Sequence, residues 1–321
     1  MSSPFPLLRL PELVLCEVFK SLNIGEKIKL SICSKKISTQ INNTRLYSQK
    51  VIIVLDMLHQ GIRVHTENNK NSFEIFTYPD SEKTGNSDIK QFSIACCSVP
   101  ALTIPTGIKI FWKNHREGFL TVIHHLLKIF PCKISTKSSC CDSDLFQPTI
   151  SMLFDLQLEF KMLTISLNGS KDENLFWNQI SNKLGLVKSL SISSIPDPGF
   201  RPVFTSWPLE INIGSSAWFT LESLLACTCT RIILEESLLK NKWLDLILRK
   251  WKAGGYPNLT YLRIQGQNIS INGTRILGIN LWELDYNVIE TEDESKEATI
   301  RMIGQSMEIY VIHFHRYYIL K

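Results

Sequence analysis

Residues Phe5–Asn43 read FPLLRLPELVLCEVFKSLNIGEKIKLSICSKKISTQINN, a stretch that holds three short helical signals in succession. Leu10-Pro11 opens the first, because proline is tolerated at a helix start, where its missing N–H would have no partner anyway. Leu15, Val18, Phe19 and Leu22 then recur at helical spacing and form one broad apolar stripe. Asn23-Ile24-Gly25-Glu26 has the pattern of a capping box, with Asn23 as N-cap and Glu26 reaching back from three residues on. A second helix carries Ile28, Leu30, Ile32 and Cys33. Ser34 can cap a third, with Ile37 and Ile41 on one side and Lys35 and Lys36 exposed. A piece of roughly 45 residues lies below the roughly 70–80 at which a single core closes comfortably. Some of this apolar surface therefore needs a cover, either the rest of the chain, as an ordinary helical cap, or a second protein.

The segment resembles an F-box: an apolar-Leu-Pro opening, an apolar helix, then a Ser-Lys-basic helix. The residues that carry the resemblance are Pro6, Leu7, Leu10, Pro11, Leu15, Val18, Phe19, Leu22, Ile28, Leu30, Ser31, Ser34, Lys35 and Lys36. Ile37 departs from it, standing where many F-boxes have an aromatic residue; the site stays apolar but loses volume. The resemblance implies docking onto the Skp-family adaptor of an SCF-type (Skp–cullin–F-box) ubiquitin ligase, and through that adaptor onto a cullin. Leu7, Leu10, Pro11, Leu15, Val18, Leu22, Ile28 and Leu30 are the expected adaptor-facing residues.

At 321 residues the chain can hold one large or two modest domains. Apolar residues at 44% and charged residues at 20% describe a globular protein, not a disordered one. The formal charge of +5 is mild and interspersed, and no basic block with interleaved aromatics marks a nucleic-acid surface. No apolar run approaches the roughly 18–20 residues that span a bilayer. The N-terminus, with Pro4, Pro6, Pro11, Glu12 and Glu17, makes a poor signal peptide. The nine cysteines include the pairs Cys96-Cys97, Cys140-Cys141 and Cys227/Cys229, which suit a reducing compartment better than a secreted disulfide framework. The expected location is cytoplasmic or nuclear, and the sequons at Asn42, Asn168, Asn258, Asn268 and Asn272 then read as chance matches.

After the helices the reading is β-rich: VIIVLD (51–56), IRVHT (62–66), FEIFTY (73–78) and IKIFW (108–112), joined most simply by antiparallel hairpins. Pro79–Asp88 reads as a polar loop. From His115 helix and strand alternate. Glu117–Phe130 is a helix that Pro131 ends; LTISL (163–167), VKSLSIS (187–193), EINI (210–213), TRIILEE (230–236) and LTYLRIQ (259–265) are strands. Helical segments fall at 173–184, 220–226 and 238–251. Such spacing resembles a degenerate leucine-rich-repeat stack, although no fixed repeat recurs and a conventional α/β sheet layer fits nearly as well. The fold class is therefore α+β: a small three-helix F-box at 1–48, a β-rich connecting region at 49–114 and an α/β repeat-like domain at 115–321.

A second resemblance covers Ser216–Ile264, which is similar to the type 2 F-box-associated domain, a family much expanded in nematodes. Trp218, Thr220, Leu221, Leu224 and Leu225 match its Trp and Thr-Leu-x-x-Leu-Leu helix; Ile232, Ile233 and Leu234 its apolar strand; Lys250 and Trp251 the end of its next helix. Gly254, Leu259, Leu262 and Ile264 match the closing strand. Trp243-Leu244-Asp245 departs, lying where the pattern often has an Asn.

Chemistry is sparse. His124-His125 point about 100° apart on a helix and do not form a two-ligand site. His313 and His315 share a strand face without a third ligand, and no Cys-x-x-Cys occurs, so no metal or other cofactor is expected. The nucleotide-binding and nucleophile-elbow motifs are missing. Glu290, Glu292, Asp293 and Glu294 lack EF-hand spacing and read as an exposed turn between strands. Most of the tryptophans Trp177, Trp207, Trp218, Trp243, Trp251 and Trp282 should be core. The function read from the sequence is a non-catalytic substrate receptor whose C-terminal domain holds an unknown target protein. Its rivals are a repeat-type interaction module unrelated to ubiquitin and, further off, a hydrolase pairing Cys229 or Cys141 with a histidine.

Overall fold

The computed structural model describes residues 9–43, 51–83, 88–94, 97–137, 144–166, 172–193, 202–270 and 275–313. They form two compact units, the first ending at Thr149 and the second starting at Ile150. The class is α+β, as the sequence implies.

The first unit starts with α1 (Glu12–Ser21), α2 (Ile24–Cys33) and α3 (Lys35–Asn43). Pro11 stands directly before α1, and the capping box is present in full. The Asn23 side chain accepts from the Glu26 N–H at 2.9 Å, and the Glu26 carboxylate accepts from the Asn23 N–H at 2.8 Å. Each half satisfies a helix-end donor that would otherwise have no partner. Asn23→Ala is expected to cost about 1 kcal/mol of stability, read as a lower urea midpoint at unchanged slope for the full chain.

The sheet of this unit contains β1 (Val51–Asp56), β2 (Gly61–Thr66), β3 (Ser72–Pro79), β4 (Lys90–Ile94), β5 (Cys97–Ile104), β6 (Gly107–Trp112) and β7 (Cys132–Thr136). Its order is β7-β1-β2-β3-β6-β5-β4. Hairpins join β1 to β2, β2 to β3, β4 to β5 and β5 to β6, but β3 pairs with β6, and β1 with β7, in parallel. A purely antiparallel reading is thus corrected. The cause is the β4–β5 hairpin, whose largely exposed residues and Pro100 hide its alternation; it carries the chain out so that β6 returns beside β3. Gly107 permits that return, because a Cβ there would overlap the Glu74 carbonyl.

Helix α4 (His115–Ile129) is capped by Asn114, whose side chain accepts from the Arg116 and Glu117 N–H groups. It lies against α3, β3, β4 and β6, while α2 lies on β2, β3 and β4. Lys29 sits over the Phe73 ring at 5.6 Å. Phe19, Ile24, Ile28, Ile32 and Ile41 are buried. At roughly 1.5–3 kcal/mol for each fully buried side chain, these contacts, not helix propensity, hold the three short helices in place.

The second unit is entered along α5 (Phe146–Asp155), a helix the sequence reading passes over. Then come β8 (Phe160–Ser166), α6 (Asp172–Ile180), β9 (Val187–Ser193), β10 (Glu210–Ile213), α7 (Leu221–Ala226), β11 (Arg231–Leu234), α8 (Asn241–Lys252) and β12 (Tyr261–Gln265). A short hairpin, β13 (Arg275–Ile276) with β14 (Ile279–Asn280), precedes β15 (Val288–Glu290), β16 (Lys296–Ile303) and β17 (Ser306–His313). Strands β8 to β12 pair in parallel, each beside its predecessor. Antiparallel β17, β16 and β15 complete the edge. Alternation sets the faces: Leu190, Ile192, Ile211, Ile213, Ile232, Leu234, Leu262 and Ile264 point into the core. The neighbouring positions form a face that stays partly open.

Candidate functional site

Two surfaces stand out, one in each unit. On α1, Leu15 and Phe19 are buried. Turned slightly away from them, Pro11, Val14 and Val18 share a stripe at i, i+3 and i+7; Pro11 is exposed, Val14 is 46% exposed and Val18 half-buried. Leu10, Leu22 and Leu30 are also half-buried. Of the residues expected to face an adaptor, Leu7 lies outside the described residues. Leu15 and Ile28 are packed inside this chain, at 5% and 1% exposure. Val14 escapes a reading of the sequence, since the stripe of buried residues at Leu15 and Phe19 dominates the apolar period and hides its exposed neighbour. Leu13 is 82% exposed but projects on the polar side of α1, near Glu17 and Lys20.

The second surface is the open face of the parallel ladder where β11, β12 and β17 meet. Register places Tyr261 opposite Tyr310 and Arg263 opposite Glu308. The tyrosine rings lie 5.0 Å apart, and Arg231 sits over Tyr261 at 4.1 Å. Tyr310 donates its hydroxyl to Glu308 at 2.7 Å, and the Arg263 Nε is 3.7 Å from the same carboxylate. The bond to Glu308 pushes the Tyr310 phenol up to about 12, so it stays a donor at any physiological pH. Next to this group, Arg301 donates to the Tyr286 hydroxyl at 3.2 Å. Arginine and tyrosine in a rigid cross-strand frame lose little entropy on contact with a partner.

The residues that carry the F-box-associated resemblance play a different part. Trp218, Leu224, Ile232, Leu234, Trp251, Leu259, Leu262 and Ile264 are all buried. Thr220 caps α7, accepting from the Ser223 N–H. Trp177 is buried too and donates its ring N–H to the Val203 carbonyl, and Phe204 stacks on Trp207 at 4.3 Å. Trp282, 63% exposed, is the contrast. This signature builds the ladder and lies beneath the open face.

The Cys227/Cys229 pair is locked away, whereas Cys33 and Cys97 are exposed. Cys227 and Cys229 are buried; the Cys229 thiol donates to the Pro208 carbonyl, and its bond with Cys227 together with burial pushes it far above the ordinary thiol range. A thiol so held is a poor nucleophile. Cys141 lies outside the described residues, as do His315 and the His313 side chain. Asp293 closes the turn between β15 and β16: hydrogen bonds from Thr291 and Ser295 lower its carboxyl to about 2. Among the described residues no group of three or more His, Cys, Asp or Glu side chains is placed to hold a metal ion. No helix among them is long and apolar enough to cross a membrane.

Residues 7–49 match the family model of the F-box domain, and residues 204–264 match the model described as F-box associated. An uncharacterised Caenorhabditis elegans protein is 21% identical over 277 residues, which cover 84% of this chain but 62% of the relative. The F-box associated domain-containing protein sdz-33 of the same organism is 21% identical over 289 residues, covering 90% of this chain and 86% of its own. No solved structure gives a significant match.

Proposed function

We propose that this chain, which carries an F-box domain over residues 7–49 and an F-box-associated domain over residues 204–264, is a substrate receptor of an SCF-type ubiquitin ligase. The observation that carries the reading is the stripe Leu10, Pro11, Val14 and Val18, still partly open to solvent inside the segment that matches the F-box. A Skp-family adaptor closes over it, with Leu22 and Leu30 at its margin, and a cullin is recruited through the adaptor. A target protein seats on the Arg231, Arg263, Tyr310 face of the second unit, which the buried Tyr261 ring supports from beneath. The chain performs no bond chemistry of its own; holding target and ubiquitin-charged enzyme together raises the effective concentration of target lysines. The sequential parallel ladder serves as a repeat-like platform for that contact, and the work is done in the cytoplasm or nucleus.

A second reading has one observation behind it. Helix α2 packs on the sheet of its own unit, as a helical cap would, which fits a protein-interaction module unconnected with ubiquitin. One experiment decides. Co-expressed with a Skp-family adaptor, the full chain is expected to co-purify, and Leu10→Asp with Val14→Asp to weaken the complex at least about 30-fold, the loss of a ~2 kcal/mol hot spot. Both positions are partly exposed, so the variant should melt at the parent's temperature. Undiminished binding by a folded variant, or no binding by the parent, rejects the ubiquitin reading and leaves the module.

A further inference from the structure

Between α3 and α4, in the first unit, lies a cavity of about 350 Å³. One wall is a single face of α3: Lys35, Ser38, Thr39 and Asn42, at i, i+3, i+4 and i+7. The other is His124, His125 and Lys128 of α4, with Ser31 of α2 and Ser93 of β4 closing the ends. Every one of these side chains is polar, although clefts between packed helices are ordinarily apolar. None is a carboxylate. Lys35 and Lys128 form no ion pair with any described residue, so two positive charges face this hollow without a counter-charge. Its floor is built from buried polar groups: Ser31 and His125 are 1% and 8% exposed and bonded to each other at 2.9 Å. The Asn42 side-chain oxygen is buried without a partner.

We propose that this cavity is a binding site for a tetrahedral oxyanion of the phosphate-monoester class, held between the Lys35 and Lys128 ammonium groups and by the hydroxyls of Ser38 and Ser93; the Thr39 hydroxyl is already donated to the Lys35 carbonyl. Two cations and two short hydroxyl donors, with no acidic group to repel the ligand, suit a small dianion. The Asn42 amide, turned about its last bond, can present its NH₂ to the same ligand. An apolar ligand would have to desolvate both ammonium groups and gain nothing for it. Burial first, and then the field of the Lys128 ammonium, depress the His125 pKa, so this imidazole stays neutral beside the two lysines. None of these residues belongs to the α1 stripe, so the proposal does not rest on the ubiquitin reading and its failure would leave that reading intact.

The test is calorimetric titration of the full chain, in a zwitterionic buffer at fixed ionic strength. Four probes are used: inorganic phosphate, the peptide Gly-Ala-phosphoSer-Ala-Gly, its unphosphorylated twin, and acetate. Saturable binding is expected for phosphate, for the phosphopeptide or for both, with none for acetate or the twin; the tighter of the two shows whether the site takes free phosphate or a phosphorylated side chain. Lys35→Gln and Lys128→Gln are each expected to weaken it about tenfold, the loss of one charge-assisted contact, and the double variant to abolish it. Both lysines are exposed, so the melting temperature should hold. Absence of saturable binding, or undiminished binding in the folded double variant, overturns the proposal.

Discussion

Replacing Trp251 by alanine is expected to lower the stability of the chain by about 4 kcal/mol, the upper part of the range for truncating a buried aromatic. Trp251 sits in the last turn of α8 at 1% exposure. Leu244, Ile247 and Leu248 of the same helix are buried with it, so no flexible surface is at hand to collapse into the space. A loss of this size is comparable to the whole stability of many domains. The phenylalanine variant separates volume from chemistry. The Trp251 ring N–H is buried with no hydrogen-bond partner. Phenylalanine gives up some ring area but also removes a buried donor that costs roughly 1–3 kcal/mol to leave unsatisfied. Trp251→Phe should therefore fall within about 1 kcal/mol of the parent. Chemical denaturation followed by far-ultraviolet circular dichroism reads both changes. A Phe variant as damaged as the Ala variant would mean that the N–H has a partner, such as an ordered water, in solution.

Trp251 also shows what kind of information the sequence holds. It stands out as part of an F-box-associated pattern, yet in the structure it is core, as are Trp218, Leu224 and Ile264. Period and cap chemistry are local, so the capping box at Asn23, the Asn-free start of α1 at Pro11 and the strand VKSLSIS are legible from a few neighbours. Pairing partners are not local. The parallel contact of β3 with β6 depends on a hairpin whose exposed residues give no alternation to read. The open-face cluster is hidden for the same reason: Arg231, Tyr261 and Tyr310 come from three separated strands and meet only through register. The α1 stripe lies between these cases. Its helix and apolar period are evident, but which apolar residues the chain buries itself is decided by tertiary packing: α1, with Leu15, lies against α3, and α2, with Ile28, against a sheet that forms from later residues. The matched signatures thus report the scaffold, while the open surfaces are assembled by register and packing that no local pattern records.

Acidification is expected to destabilise the first unit through His125, by about 2 kcal/mol between pH 7 and pH 5. The imidazole is buried, and burial first, then the nearby Lys128 ammonium, lowers its pKa from the ordinary 6.5 to about 4. Ser31 fixes the tautomer. Its single hydroxyl proton is donated to the Ile28 carbonyl at 2.7 Å, so its oxygen accepts from the His125 Nε2–H. Protonation then adds a charge at Nδ1, inside a site whose other charged groups, Lys35 and Lys128, have the same sign. Because the folded pKa lies below the unfolded one, the unfolded chain binds more protons throughout the window between them. The stabilisation is complete above about pH 6.5, falls as the pH drops, and is gone by about pH 4. At about 1.4 kcal/mol per pKa unit the full loss is near 3 kcal/mol. Carboxylates titrate at the lower end of this range, so the decisive quantity is the difference from a His125→Gln variant, whose amide can still donate to Ser31 but cannot charge. Urea midpoints of parent and variant should converge as the pH falls from 7 to 5. Parallel curves would show that His125 takes up its proton without cost to the fold, and would locate the acid sensitivity elsewhere.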